Sequence, residues 1–131
     1  MNRVIFHAAR ILLGLIFLLF GLNGFLLFMP SPPHIPGNAG AFSGAMMTSH
    51  YVYLTAGVQV LGGLLLLLNR CVPLALVLLA AVIANILTFH ITMMPQALVP
   101  FPILVTVLWF LVAWPLREYL APLLTRRVTL S

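Results

Sequence analysis

Long apolar runs alternate with short polar or proline-rich breaks along this chain, and the runs set the expected architecture. Four of them have the length of a membrane-spanning helix, about 20 residues with a range of about 17–25. The first covers residues 7–29, and its stretch ILLGLIFLLFGLNGFLLFM carries one strongly polar side chain, Asn23. The second covers residues 51–68 (YVYLTAGVQVLGGLLLLL). The third covers residues 72–94, with Pro73 where a first helical turn tolerates it. The fourth covers residues 99–119, with Pro100 and Pro102 at its start and Pro115 near its end, where a missing backbone donor costs least. Transmembrane strands would be shorter and would alternate polar with apolar positions, which these runs do not. The first run is longer than a signal-peptide apolar region of about 7–15 residues, and Phe28-Met29-Pro30 follows it instead of a small-x-small cleavage site. It is read as a retained helix.

Residues 30–50 form the expected outer loop between the first two runs. Their first half, PSPPHIPGNAG, is rich in Pro and Gly and is expected to be extended or turned. The second half, AFSGAMMTS, is apolar and has the character of a short helix lying on its neighbours or in the membrane interface.

Composition supports this reading. An ordinary soluble domain carries about 25% charged residues; this chain has 5%, with 63% in the apolar set. Too little charge is present to dress a water-soluble globule, and disorder needs the opposite balance. The net charge of +5 comes from six cations, all Arg, against the single acid Glu118. Arg3, Arg10, Arg70, Arg117, Arg126 and Arg127 lie at the ends of apolar runs and make no continuous basic stripe, which excludes a nucleic-acid partner. They are expected to anchor the chain against anionic lipid headgroups. With four alternating helices, all six fall on one side of the membrane, and the loops opposite carry none. The positive-inside rule then puts both termini in the cytoplasm. The expected fold is all-α: one domain over residues 1–131, an integral membrane antiparallel four-helix bundle, multi-pass in the cell inner (cytoplasmic) membrane.

Lipid is as apolar as Leu, so small residues and polar side chains must bring the helices together. Candidates are Gly14, Gly21 and Gly24 on the first helix, Gly57, Gly62 and Gly63 on the second, and Ala80, Ala81 and Ala84 on the third. Trp114 with Tyr119, and Tyr51 with Tyr53, suit the two aromatic belts.

The chemistry available is narrow. One cysteine, Cys71, excludes a disulfide shuttle and any structural disulfide within one chain. There is no carboxylate pair, phosphate loop or nucleophile–base arrangement, so independent catalysis is not expected. Asn23, Gln59 and Asn85 place an amide on three helices in the outer half of the membrane, at about 9, 12 and 13 Å of depth on a 1.5 Å rise. Thr88 shares the face of Asn85, while His90 is about 140° away from it on an ideal helix. These five residues are candidates for holding the polar head of a lipophilic ligand such as a quinone. Interhelical hydrogen bonding is the plain structural alternative. His34, His50 and His90 lie on one side, but without acidic support they make a poor metal set, and no metal is assigned. Arg3, His7 and Arg10 share a face at the basic end and read as a headgroup anchor.

The stretches ARILLGLIFLLFGLNGF and GVQVLGGLLLLLNRCVPLALVLLAAVIANILTFH resemble the DoxX family of small four-helix membrane proteins, in its DoxX-like branch. The matching pieces are FGLNGF, the GGLLLLL–R–VPLAL hairpin and N-I-L-x-F-H. Family members often have Glu where this chain has Gln59, a departure that removes the one intramembrane acid. The resemblance implies a four-helix bundle. It also implies a place beside quinone-linked oxidases, thiosulfate:quinone oxidoreductases or redox-defence enzymes. The leading expectation is an accessory subunit of a quinone-linked membrane redox (electron transport) complex, with no intrinsic cofactor. The alternative is a non-enzymatic structural or lipid-binding subunit of a larger complex or homo-oligomer. A small-molecule transporter is a third class, for which one such chain is small and lacks broken mid-membrane helices.

Overall fold

A computed structural model describes residues 2–28 and 35–130, and among them the chain is all-α, with no strand. The helices are α1 (Arg3–Leu26), α2 (Gly37–Thr48), α3 (Val52–Leu68), α4 (Val72–Met93), α5 (Phe101–Ala113) and the single turn α6 (Arg117–Leu120). Three 3₁₀ turns, Pro95–Ala97, Trp114–Leu116 and Ala121–Leu124, extend or link them.

α1 begins at Arg3 rather than at residue 7, because Asn2 caps it: its side-chain oxygen accepts from the Val4 N–H at 2.8 Å. It ends at Leu26, where Leu27 turns left-handed and donates its N–H to the Asn23 carbonyl at 2.8 Å. The expected last residue, Met29, lies outside the described residues, as does His34. The apolar second half of the outer loop is helical, but α2 starts earlier, at Gly37. α3 and α4 match their expected spans to within a residue at each end. The fourth run differs most. Pro115 interrupts α5 with a 3₁₀ turn, and helical turns then continue to Leu124, past the expected end at residue 119.

Three helices are long and apolar enough to cross a membrane: Arg3–Leu26, Val72–Met93 and the run Phe101–Leu124. The number rises to four if α2 and α3, bent by 84°, count as one broken span. α3 alone has 17 residues. At 1.5 Å each that is about 26 Å, slightly short of a hydrocarbon core about 30 Å thick.

α1 packs against α3 and α5, and α4 packs against α3 and α5. Their shared core includes Leu13 and Phe17 from α1, Leu66 from α3, Leu76 and Leu79 from α4, and Val105 and Val112 from α5. The α1–α3 seam is antiparallel and very close. A Cβ on Gly63 would lie 2.6 Å from the Leu18 nitrogen and 2.7 Å from the Gly14 oxygen; one on Gly21 would lie 2.8 Å from the Val60 nitrogen. Only glycine permits this approach of two backbones. Gly62 is held by Leu79 of α4, while Gly57 has no atom within 4 Å of its missing Cβ and takes no part in packing. On α4 the core face is Ala75, Leu76, Leu79, Val82 and Ile83, whereas Ala81 and Ala84 are exposed. The expected alanine seam is therefore replaced by a face built mainly of Leu, Val and Ile.

Candidate functional site

The start of α1, the end of α3, the start of α4 and the end of α5 come together at one end of the molecule. Arg3, Arg70 and Arg117 are exposed there. Arg10 is not: it is 7% exposed, the one buried charged or polar side chain among the described residues. Its guanidinium donates to the backbone oxygen of Leu66 and, at 3.4 Å, to that of Leu67. It also meets His7 Nδ1 at 3.4 Å from Nε and 3.3 Å from the second terminal nitrogen. These carbonyls belong to the last turn of α3, at the negative end of the helix dipole, where the Leu66 oxygen also accepts from the Asn69 N–H at 3.2 Å. Arg10 therefore closes the α3 C-terminus from the neighbouring helix. That departs from the headgroup-anchoring role expected of it, since its donors are spent inside the protein. The outlying pair Arg126 and Arg127 is exposed beyond the last helical turn.

At the opposite end the candidate polar residues are spread out. Asn23 of α1 and Gln59 of α3 are half-buried, and Asn23 is not free of interactions. Asn85 and Thr88 are exposed on α4, and Asn85 lies about 160° around the helix from the core residue Ile83. The Asn85 Nδ2 donates to the Ala81 oxygen at 2.9 Å, and Thr88 Oγ1 to the Ala84 oxygen at 2.8 Å. Each thus satisfies one group on its own helix, four residues back. Thr92 extends the row by donating to the Thr88 oxygen at 2.6 Å. Asn85 makes no interhelical hydrogen bond among the described residues, and Leu and Val side chains fill the inner face of α4.

His90 is half-buried, and its Nδ1 lies 2.8 Å from the Ile86 oxygen. A carbonyl only accepts, so Nδ1 carries the proton and Nε2 presents a lone pair. Among the described residues neither Nε2, the Asn85 oxygen nor the Gln59 amide has a hydrogen-bond partner, while no fully buried polar side-chain atom is left unsatisfied. Aromatic rings border this end. Phe42 of α2 lies 5.5 Å from Phe89, and Phe89 meets His90 edge-on at 5.1 Å. Tyr53 stacks between Phe25 and His50 at 5.3 and 5.4 Å. Among the described residues no three His, Cys, Asp or Glu side chains come together as a metal set. Cys71 is exposed in the left-handed residue before α4.

Two interhelical contacts escaped sequence reasoning. One is the Arg10 clamp, and the other is Trp109, whose indole N–H donates to the Leu76 oxygen at 2.8 Å and ties α5 to α4. Arg10 had a legible signal, since it shares a helical face with Leu13, Gly14, Phe17 and Gly21. Trp109 had none.

Apolar spans, an apolar core and the absence of strands among the described residues define a small multi-pass helical membrane protein. The DoxX family model matches residues 5–91, two thirds of the chain, and the chain belongs to that family. No curated protein and no solved structure matches it.

Proposed function

We propose that this DoxX protein is an accessory subunit of a quinone-linked membrane redox complex, without catalytic activity of its own. In this reading it is an antiparallel four-helix bundle in the inner (cytoplasmic) membrane, with both termini in the cytoplasm. The observation that carries the proposal is the set of unspent polar groups on α4, exposed at Asn85 and half-buried at His90. Asn85 and His90 each spend one group on their own helix and leave another unspent. A polar group facing hydrocarbon without a partner is costly, so the partner comes from outside the chain. A quinone carbonyl accepts from the free Asn85 N–H, with Thr88 beside it. A quinol hydroxyl donates to His90 Nε2. The two residues lie about 140° apart, so one head group takes one position or the other.

The experiment is native mass spectrometry of the protein gently released from its own membrane, with lipid extraction of the same sample. Stoichiometric quinone or a redox-enzyme partner is expected, reduced in Asn85→Ala or His90→Ala. A wild-type protein carrying phospholipid alone would sink the proposal. That result would favour a structural or lipid-binding subunit, a reading supported by the apolar core with no titratable group but Arg10 buried in it.

A further inference from the structure

A second surface lies away from the α4 polar row, on the outer side of α5. Two cavities of about 190 and 300 Å³ share Trp109 and Phe110 and so form one groove. The groove starts in the seam between α4 and α5, at Ala84, Leu87 and Thr106, and runs down the C-terminal helical turns past Arg117 to Leu124. Its walls are apolar, and Arg117 is the one charged side chain lining it. From Thr106 to Arg117 the rise is about 16 Å, which is the depth of one leaflet of a hydrocarbon core about 30 Å thick. The cation sits at the end of the molecule where Arg3 and Arg70 are exposed, so the groove has an acyl-chain stretch above Arg117 and a charged mouth at Arg117, flanked by Leu120 and Leu124.

Arg117 is held in place and still has donors to spare. One terminal nitrogen donates to the Trp114 oxygen at 2.8 Å, and the guanidinium carbon lies 4.7 Å above the Trp114 ring. Five N–H donors belong to a guanidinium, and among the described residues no other is used. Glu118, the one acid, points about 100° away around the helix and makes no ion pair among the described residues. The mouth therefore carries the positive charge of Arg117. We propose that this groove binds one anionic phospholipid, with an acyl chain along Trp109 and Phe110 and the phosphate on Arg117. Charge decides the class: a zwitterionic head brings its own ammonium to the positive mouth, and an anionic head does not. The groove lining includes none of Asn85, Thr88 and His90, so the lipid site stands apart from the quinone reading.

Trp109 and Trp114 are the only tryptophans in the chain, and both line the groove. Their fluorescence therefore reports on it. The full-length protein is reconstituted in phosphatidylcholine vesicles, and brominated phosphatidylglycerol or brominated phosphatidylcholine is titrated in. Half-maximal quenching is expected at about fivefold lower mole fraction of the anionic lipid, the preference that one interfacial cation confers. Arg117→Gln should bring the two curves together with helical circular dichroism unchanged, whereas Arg126→Gln/Arg127→Gln should keep them apart. Coincident curves for the wild type overturn the proposal without recourse to any variant. So does a lipid preference that survives Arg117→Gln.

Discussion

At the residue scale, glycine and arginine carry the specific packing. The α1–α3 seam tolerates no side chain at Gly63, where the atoms in the way are backbone and cannot swing aside. Gly63→Ala should destabilise the protein by about 1–3 kcal/mol, the range for overpacking a closed site. Gly57→Ala, in open space on the same helix, should be neutral or stabilising by up to about 1 kcal/mol through helix propensity. Thermal unfolding in one detergent compares the two, and equal shifts would contradict the seam. Arg10→Ala should cost about 1–3 kcal/mol by removing the buried guanidinium's bonds to the last-turn carbonyls of α3, of which Leu66 keeps only the Asn69 N–H. Arg10→Lys should recover part of that loss, because an ammonium keeps the charge but not the planar fork. An Arg10→Ala protein as stable as wild type would return Arg10 to the headgroup role first expected of it.

At the element scale, the four long helices differ from α2. Ala39 is the one buried residue of α2, and the helix touches the rest of the molecule mainly along α4. It has few apolar contacts to resist local opening. Hydrogen exchange read by mass spectrometry should show α2 exchanging well ahead of α1, α3 and α4; equal protection would place it inside a further contact. The extents of α3 and α4 were legible because their runs end at clear signals: Asn69 in a left-handed cap, Pro73 in the first turn and Met94 at the break before Pro95. The end of the fourth run was not legible. Pro115 reads as a terminator, but here it inserts a 3₁₀ turn, and the following turns resume because apolar side chains continue to Leu124.

At the scale of the whole molecule, the exposed arginines collect at one end, and the proposed orientation puts that end in the cytoplasm. Cys71, the only cysteine, is exposed at the same end and serves as a built-in reporter. A membrane-impermeant maleimide should leave Cys71 unlabelled in intact cells and label it after the membrane is opened. Labelling of intact cells would invert the topology.

The sequence by itself determined the class of protein, the rough extent of its apolar helices, the basic end and the DoxX relationship. These follow from local composition and periodicity, and lipid as a solvent enforces them strongly: a run of about 20 apolar residues has few alternatives to a spanning helix. The use of Gly14, Gly21, Gly62 and Gly63 at close helix contacts was legible for the same reason. Only the tertiary structure decided which way each polar side chain turns. Asn85 and Thr88 are exposed, while Arg10 is buried where a headgroup anchor was expected. In a chain that is 63% apolar, lipid-facing and protein-facing surfaces have the same composition, so no hydrophobic stripe tells them apart. The faces are settled by which helices pack as neighbours, through contacts between residues such as Arg10 and Leu66 that lie far apart in the chain.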